Sequence, residues 1–424
     1  MSDLLQHASN SGGAEWETVP LGDVATFING DRGQNYPSQS DYVARGIPFI
    51  SAIALVDGRV DTAKCNLITE GAFNRLRNGK TKDGDLLFCL RGSLGKIAKV
   101  QGLERGAIAS SLVIIRANER AEQQYLYYVL VGPIGQRLAG ELNNGSVQPN
   151  ISATSLQQSF IPLPPLSEQR AIAAVLGALD DKIELNRRMN ETLEALAQSL
   201  FKAWFVDATA NGLPKGWKLT QLKNLTTKIG SGATPRGGNA VYVDEGVALI
   251  RSQNVYDHEF HWNGLARLTD EAAKDLQGVE VKPEDILLNI TGDSILRTCM
   301  VEPEVLPARV NQHVAIIRSK PGIPPRFLHL FLVQPRMKHF LAGLDAGATR
   351  RAITKGQLEA VELLLPPDEI LVRFAEVTNP WFQKINSNRS ESRTLAALRD
   401  ALLPKLLSSE LRVPNSKEHM EASL

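Results

Sequence analysis

The chain repeats itself at an offset of about 200 residues, and this repeat restricts the possible folds more than any other feature. The offset drifts by only about two residues along the whole length, which excludes chance similarity and indicates a tandem duplication. A protein with two equivalent halves usually has a twofold target or a twofold partner. The matched residues include Trp16 and Trp217, Gly46 and Gly246, Asp85 and Asp285, Gly92 and Gly292, Arg116 and Arg318, and the proline pairs at 164–165 and 366–367.

Each copy has the size of a full domain, far longer than the roughly 20–50 residues of a solenoid repeat. The hydrophobic content of 43% is sufficient for two cores. The net charge is +1, so nucleic-acid binding would require local basic surfaces. The three cysteines are scattered, as is typical of a reducing compartment. With a polar N-terminus and no long apolar stretch, we expect a cytoplasmic protein that has no contact with a membrane.

The first three-quarters of each copy predicts a β-rich domain. Short apolar runs bounded by Gly, Asp and Asn, such as Asp85–Leu90 and Leu112–Arg116, indicate strands joined by turns. One short helix is expected among them, at Gln124–Val131 in the first copy and Pro325–Val333 in the second. With the helical segments that follow, the predicted fold class is α+β.

The last quarter of each copy predicts a long helix. Ser167 is placed to cap the first helix, and its apolar positions then step by four and three residues, as in a heptad seam with polar residues at its centre. We expect the two helices to pair as an antiparallel coiled coil about a pseudo-twofold axis, with the polar layers in contact. The alternative is that each helix packs only on its own domain. The seam consists of Ile172, Leu176, Leu179, Ile183, Asn186, Leu193 and Leu200 in the first helix, and of Trp381, Ile385, Asn388, Leu395 and Leu402 in the second.

The sequence contains no recognisable catalytic motif. Gly95-Lys96 lacks the first glycine and the hydroxyl residue of a nucleotide-binding P-loop. His258 and His261 are spaced so that they could bind a metal, but an exposed pair in a loop is the simpler interpretation. We therefore predict a chain with no catalytic residues and no bound metal.

What remains is binding through turns that carry glycine together with basic or amide side chains. Arginine, lysine and backbone N–H groups suit phosphates, and arginine, asparagine and glutamine suit base edges. The alternative is that these are ordinary turns with solvated side chains. The candidate DNA-binding residues are Arg32, Gln34, Arg91, Ser93, Lys96, Ser146, Gln148 and Asn150 in the first copy, and Arg236, Asn239, Arg251, Gln253, Asn254, Asn289, Thr291, Arg297, Arg350, Arg351 and Lys355 in the second.

Several phrases in the sequence resemble the specificity (S) subunit of type I restriction–modification systems. Leu163-Pro-Pro-Leu-Ser-Glu-Gln-Arg, continuing through Asp180-Asp-Lys-Ile-Glu-Leu-Asn-Arg, is similar to the central conserved region of that family. Asp285-Ile-Leu-Leu-Asn-Ile-Thr-Gly and Val310-Asn-Gln-His-Val resemble phrases of its target recognition domains. The second helix departs from the pattern, because Asp368-Glu-Ile-Leu-Val-Arg replaces the Ser-Glu-Gln-Arg phrase and Pro404 interrupts its end.

The resemblance implies four segments: target recognition domains at 15–165 and 213–366, a central conserved helical region at 166–207, and a C-terminal one at 367–410. Each recognition domain would read one half of an asymmetric, bipartite DNA target. The paired helices would set the spacer and dock two methyltransferase (M) subunits.

The resemblance also implies that every cofactor is on a partner. S-adenosylmethionine would be bound by the M subunits, and ATP and Mg²⁺ would be used by motor-nuclease (R) subunits. Two alternatives remain open: a self-contained DNA-modifying enzyme whose motifs are not recognisable, and a DNA-binding scaffold that works without M subunits.

Overall fold

The computed structural model describes residues 16–143, 149–210, 212–343 and 352–413. The chain divides into two compact units, residues 1–185 with 391–424 and residues 186–390. Each unit holds one β-rich domain together with half of each of the two long helices. The predicted α+β fold, with two β-rich domains separated and followed by long helices, is confirmed.

The first β-rich domain contains eleven strands and five short α-helices within its described residues. The strands are β1 (Glu17–Pro20), β2 (Ala25–Asn29), β3 (Tyr42–Ile50), β4 (Leu55–Val56), β5 (Arg59–Val60), β6 (Asn66–Ile68), β7 (Leu86–Cys89), β8 (Ile97–Lys99), β9 (Ala107–Ile108), β10 (Leu112–Ala117) and β11 (Phe160–Leu163). The helices are α1 (Leu21–Val24), α2 (Glu70–Arg75), α3 (Gln123–Val131), α4 (Pro133–Glu141) and α5 (Ala153–Gln157).

A six-stranded sheet in the order β2-β10-β7-β8-β5-β4 forms the centre of this domain. Successive side chains of a strand point to opposite faces of the sheet, so each central strand contributes residues to two hydrophobic cores. Val113 and Ile115 of β10 face a cluster with α3 and the long helices, whereas Leu112 and Ile114 face a second cluster with β3 and β9. Because both faces are covered, the central strands read as continuous apolar runs.

The two long helices are α6 (Leu166–Phe201) and α11 (Asp368–Leu407). In the first unit, Ile172 and Leu176 of α6 share a core cluster with Leu403 and Leu406 of α11. In the second unit, Phe201 of α6 lies 6.1 Å, between ring centroids, from Phe374 of α11. Further along α6, Asp180 meets Arg399 in the first unit, and Asn190 meets Asn388 in the second. Within each unit residue numbers therefore rise along α6 as they fall along α11, so the helices pair in antiparallel fashion.

The second β-rich domain contains the strands β12 (Lys218–Gln221), β13 (Thr226–Ser231), β14 (Tyr242–Val243), β15 (Val247–Ile250), β16 (Ala266–Leu268), β17 (Glu280–Val281), β18 (Ile286–Asn289), β19 (Thr298–Met300), β20 (Ala308–Val310), β21 (Val314–Ser319) and β22 (Glu362–Leu365). Its helices are α7 (Asp270–Asp275), α8 (Pro325–Val333), α9 (Pro335–Gly343) and α10 (Lys355–Glu359).

The second domain repeats the central sheet of the first. Strands in the order β13-β21-β18-β19 correspond to β2-β10-β7-β8. A five-stranded sheet, β14-β16-β15-β20-β17, covers one face, and Leu287 and Ile316 pack towards it. Ile286 and Ile317 face the opposite cluster with α8 and the long helices. The duplication seen in the sequence is therefore a duplication of the core.

The ends of the long helices differ from the sequence expectation in two respects. Ser167 is not the N-cap, because α6 begins at Leu166 and the carbonyl of Pro165 accepts the N–H groups of Glu168 and Gln169 at 2.9 and 3.0 Å. Pro404 does not end α11, which continues to Leu407. Leu406 and Leu407 are buried in the core of the first unit, and their packing holds the last turn in helical form.

At its C-terminal end, α6 widens into a π-helical turn at Lys202–Val206. This turn buries Phe205 beside Phe327, with ring centroids 4.9 Å apart. No helix among the described residues is sufficiently long and apolar to cross a bilayer.

Candidate nucleic-acid interface

Several loops of the first domain meet at one end of its central sheet. Asn29, the last residue of β2, pairs with Val113 near the start of β10. Cys89, the last residue of β7, pairs with Leu112. The segments that leave β2 and β7 and the segment that enters β10 therefore lie at the same end of the sheet, which we call the loop end.

Three backbone hydrogen bonds tie these segments together. The N–H of Ala109 donates to the carbonyl of Ile50 at 2.8 Å, which brings in the loop after β3. The N–H of Leu90 donates to Ser111 at 2.8 Å, and the N–H of Ile151 donates to Leu90 at 2.9 Å. Main-chain bonds thus join four segments to one another: the loops after β3 and β7, the segment that enters β10, and the segment before α5.

The second domain has the same three bonds at the equivalent positions. Asn311 donates to the carbonyl of Ile250 at 3.0 Å, Ile290 donates to His313 at 3.0 Å, and Ile353 donates to Ile290 at 2.9 Å. The backbone frame of the loop end is therefore duplicated in full, although the side chains on it are different.

A glycine in each domain allows the first loop to approach this frame closely. A Cβ added at Gly30 would lie 2.8 Å from the carbonyl oxygen of Ile108, and one at Gly232 would lie 1.7 Å from that of Val310. Since real Cβ atoms do not approach backbone oxygens so closely, only glycine fits at either position.

In the first domain, several side chains at the loop end are basic, amide or hydroxyl groups. Arg91 Nε donates to Asn150 Oδ1 at 3.0 Å and links the β7–β8 turn to the segment before α5. Arg32 and Gln34 are exposed in the loop after β2, and Ser93 is exposed in the β7–β8 turn. These side chains suit phosphates and base edges.

In the second domain, a series of hydrogen-bonded polar side chains crosses the loop end. Thr234 Oγ1 donates to Gln312 Oε1 at 2.9 Å. Gln312 Nε2 lies 3.1 Å from His313 Nε2, and His313 Nδ1 lies 2.6 Å from Thr291 Oγ1. Of these four residues only Thr291 is among the candidates that the sequence provides. The Val310–Val314 phrase contains the glutamine and the histidine and could have revealed these two, whereas nothing in the sequence singles out Thr234.

Three groups of the second domain form a stack. The rings of Tyr256 and His261 are parallel within 13°, with centroids 3.7 Å apart. The guanidinium carbon of Arg297 lies 4.3 Å from the centroid of the Tyr256 ring. A cation over an aromatic ring is attracted by the electrons of its face, so Arg297 is held in place although it lies in a turn.

Other candidates are held by contacts within the protein. Lys96 Nζ donates to the carbonyl of Ala52 at 3.3 Å, and Lys355 pairs with Glu359 one helical turn away. Arg251 and Gln253 both donate to the carbonyl of Gly264. Arg236 and Asn239 are exposed in the loop after β13. Ser146, Gln148, Arg350 and Arg351 lie outside the described residues.

Asn254 and Asn289 are directed into the second domain, and both are fully buried. Asn254 Nδ2 donates to the carbonyl of His261 at 2.9 Å, and Asn289 Nδ2 donates to that of Ser252 at 2.9 Å. Their amides stabilise the loop after β15 because buried backbone carbonyls require donors. In this structure neither side chain can reach a ligand, so we remove both from the candidate interface.

The opposite end of each sheet carries a duplicated ion pair. Arg116 donates to both oxygens of Asp85, with distances of 2.7 and 2.8 Å. Arg318 does the same to Asp285, with both distances 2.7 Å. Both carboxylates are buried. Bidentate pairs of this kind are strong and geometrically specific. These arginines therefore fix β10 to the start of β7 in the first domain, and β21 to the start of β18 in the second.

In the second unit, a polar cluster joins the domain to the long helices. Arg389 of α11 donates to Glu194 of α6 at 2.9 Å and to the carbonyl of His258 at 2.7 Å. Burial lowers the pKa of His258 to about 4 and lowers that of His329 well below its ordinary value. Both imidazoles are therefore neutral near pH 7, which suits their position beside several arginines.

In the first unit, the corresponding connection uses different residues. Arg399 of α11 donates to Asp180 of α6 at 2.7 Å, and the hydroxyl of Tyr128 donates to the same carboxylate at 2.7 Å. Burial and the neighbouring carboxylate raise the pKa of Tyr128. The polar contacts that join each domain to the long helices therefore differ between the two copies.

Comparison with known proteins agrees with this architecture. Residues 13–195 match the family model described as type I restriction modification DNA specificity domain. The chain is 26% identical to the type I restriction enzyme MjaIX specificity subunit of Methanocaldococcus jannaschii, with 94% of each chain aligned. It is 24% identical to the HindI specificity subunit of Haemophilus influenzae, over 94% of this chain and all of that one.

Among solved structures, the crystal structure of a type I restriction–modification system S subunit from M. genitalium superimposes with a TM-score of 0.60 at 15% identity. The match covers 94% of this chain and 97% of that chain, and at this identity it bears on the fold alone. Fold and loop ends together define a duplicated two-domain recognition protein. Residues 13–195 match the DNA specificity domain of type I restriction–modification systems, and nearly the whole chain is similar to type I specificity subunits.

Proposed function

We propose that each β-rich domain reads one half of a bipartite, asymmetric DNA sequence through its loop end. The observation that carries this proposal is the duplicated set of three backbone hydrogen bonds beneath loops whose side chains differ. In the first domain Arg91 and Asn150 meet there, whereas in the second Gln312 and His313 do. A shared frame with different side chains is what reading two different half-sites requires.

The charge distribution supports a polyanionic partner. Although the whole chain carries a net charge of only +1, Arg32 is exposed at the loop end of the first domain and Arg236 at that of the second. Arg77 is also exposed, and its backbone N–H donates to Asp31 in the loop after β2. Local basic patches attract the DNA backbone even where overall charge is balanced. These arginines would contact phosphates and fix the register in which amide side chains meet base edges.

The paired helices would set the length of the unread spacer. Both α6 and α11 pass without interruption through the points at which the chain divides into its two units. Inserting one matched heptad into each helix should therefore lengthen the spacer of the recognised sequence and leave both half-sites unchanged. An unaltered spacer in that variant would exclude the helices as the ruler.

Specificity subunits of type I systems work with M and R subunits and DNA. For this chain we propose a non-catalytic, cytoplasmic role with two M subunits. Leu196 of α6 and Leu398 of α11 occupy equivalent positions in the repeat and are 48% and 47% exposed. Two equivalent exposed leucines suit two copies of one partner. S-adenosylmethionine would be bound by the M subunits, ATP and Mg²⁺ would be used by the R subunits, and this chain itself would bind no cofactor.

The deciding experiment is to express the chain together with its methyltransferase subunit and to map N6-methyladenine across the host DNA. We expect one bipartite motif with a fixed spacer, which disappears when this chain is omitted. The absence of such a motif from a soluble complex would overturn the proposal. Binding of S-adenosylmethionine to the isolated chain would favour a self-contained enzyme, and purification without any methyltransferase subunit would favour a scaffold.

A further inference from the structure

The polar chain at the loop end of the second domain consists of Thr234, Thr291, Gln312 and His313, and we call it the Gln312 cluster. Gln312 is exposed, and the segment that carries it connects β20 to β21. At the equivalent positions of the first domain the chain has Ser110 and Ser111. The cluster is therefore specific to the second domain, although the backbone frame beneath it is common to both.

The hydrogen bonds of the cluster have a defined direction. Because Thr234 donates to Oε1 of Gln312, the amide oxygen faces Thr234 and the amide nitrogen faces His313. Because an amide nitrogen can only donate, Nε2 of His313 accepts from it; the hydrogen of the ring is then on Nδ1, which donates to Thr291 Oγ1 at 2.6 Å. Thr291 Oγ1 then accepts from His313, and its hydroxyl hydrogen is at the end of this series of hydrogen bonds.

This arrangement leaves the amide of Gln312 half used. A carboxamide has two N–H donors and an oxygen with two lone pairs. Thr234 occupies one lone pair and His313 one N–H, so one donor and one acceptor remain on an exposed, positioned group. An adenine presents the complementary pair in the major groove, with N7 as acceptor and the N6 amino group as donor.

The neighbouring Asn311 already performs the structural task in this segment. It is buried, and its Oδ1 accepts the N–H of His313 at 3.1 Å. Its own N–H donates to Ile250. The turn is therefore held by Asn311, and the exposed amide of Gln312 is not needed to form it.

We propose that Gln312 reads an adenine in the half-site of the second domain, and that Thr234 and His313 are positioning residues that fix the plane of its amide. This inference rests on the proposed function and adds a residue and a base to it. A positioned amide discriminates better than a mobile one because less side-chain entropy is lost on binding.

The test compares N6-methyladenine maps of the full complex containing Gln312→Ala with those of the unaltered complex. We expect one adenine position in one half-site to lose its preference by roughly tenfold or more, as for loss of a bidentate contact, while the other half-site and the spacer stay the same. Gln312→Glu should shift the preference at that position towards cytosine, whose N4 amino group is a donor.

Gln277→Ala is the matched control. Gln277 is also exposed in the second domain, but it adjoins Gly278, whose carbonyl accepts Lys228 Nζ away from the loop end. This variant should leave the motif unchanged. His313→Phe should weaken the preference at the same adenine position, whereas a merely structural role would reduce methylation at all sites without changing base preference.

An unchanged motif in both Gln312 variants would overturn the inference while leaving the proposed function intact. Altered preference in both half-sites, or at several positions at once, would also overturn it. If the unaltered complex gives no bipartite motif, the proposed function itself fails, and the unaltered complex alone reveals that outcome.

Discussion

Asn388 of α11 donates its side-chain amide to Oδ1 of Asn190 of α6 at 2.8 Å. Asn186 lies in the same layer and donates to the backbone carbonyl of Asn388 at 3.4 Å. Asn186 and Asn388 are fully buried, so this polar layer interrupts an otherwise apolar seam. In helix pairs such a layer fixes register at a cost in stability.

Removing one member of this layer should destabilise the second unit. Asn388→Ala removes the donor of Oδ1 of the half-buried Asn190, and a polar atom that is fully buried without a partner costs about 1–3 kcal/mol, so the expected loss is at the lower end of that range. Replacing Asn186, Asn190 and Asn388 together with leucine should instead raise the midpoint of thermal unfolding above that of the unaltered protein. Ser387→Ala, at an exposed neighbouring position, serves as the control. An Asn388→Ala protein as stable as the control would contradict this account.

The two arginines at equivalent positions of the repeat, Arg187 and Arg389, should differ greatly in importance. Arg389 is mostly buried and bonds to Glu194 and His258, whereas Arg187 is about half-exposed and pairs with Glu191 on the same helix. Arg389→Ala should cost about 3–5 kcal/mol, as for a broken buried pair, and Arg187→Ala less than about 1 kcal/mol. Urea unfolding of both variants measures this, and equal losses would refute it.

Much of the fold could be predicted because its signals are local or periodic. The predicted strand at Leu112–Arg116 is β10, and the predicted short helices at Gln124–Val131 and Pro325–Val333 are α3 and α8. The step of the helical seam passes through Asn186, so the spacing of apolar residues is sufficient to predict a central polar layer. By contrast, α4 and α9, which follow directly after these helices, were not predicted, although Ile134, Leu138 and Leu142 recur at a helical spacing of four along the first of them and at its C-cap.

The candidate site was less predictable because its contacts join residues that are distant in sequence. Thr234 and Gln312 are 78 residues apart, and no spacing rule connects them. Asn254 and Asn289 illustrate the opposite difficulty, since an amide that bonds to its own domain's backbone looks in sequence like one that faces DNA. The two cases are distinguished only by the folded structure, which shows whether the amide lies at the loop end or inside the domain.

Because two imidazoles are buried, we expect the free energy of unfolding to decrease as the pH falls. The pKa of His258 is lowered by burial to about 4, and that of His329 is also lowered by burial, against 6.5 in an unfolded chain. Below pH 6.5 the unfolded chain therefore binds more protons, so the stability present at pH 7 is lost as the pH falls. The expected slope is up to about 1.4 kcal/mol per pH unit for each group.

Thermal unfolding between pH 7 and pH 5 measures this effect. His329→Phe should reduce the slope, because an aromatic ring that cannot titrate then occupies the buried position. His339→Gln, in which an exposed histidine is changed, should keep the full slope. If the stability of His329→Phe depends on pH as steeply as that of the unaltered protein, the buried imidazole of His329 is not the group responsible.

The exposed leucines on the long helices predict the number of methyltransferase subunits. Leu196 and Leu398 are equivalent in the repeat and similarly exposed, so each would contact one copy of the M subunit. A charge at such a contact would be buried without a partner, at a cost of several kcal/mol. Leu196→Glu and Leu398→Glu should each yield complexes with one M subunit, and the double variant should bind none.

Mass measurement of the intact complexes distinguishes these states. Arg170→Glu is a suitable control, because it places a carboxylate at an exposed polar position of α6 that is distant in sequence from Leu196, and it should retain both M subunits. If both single leucine variants still bind two M subunits, the docking surfaces lie elsewhere on the chain. Loss of both subunits from either single variant would instead indicate that the two sites are coupled, since one substitution would then remove contacts at both positions.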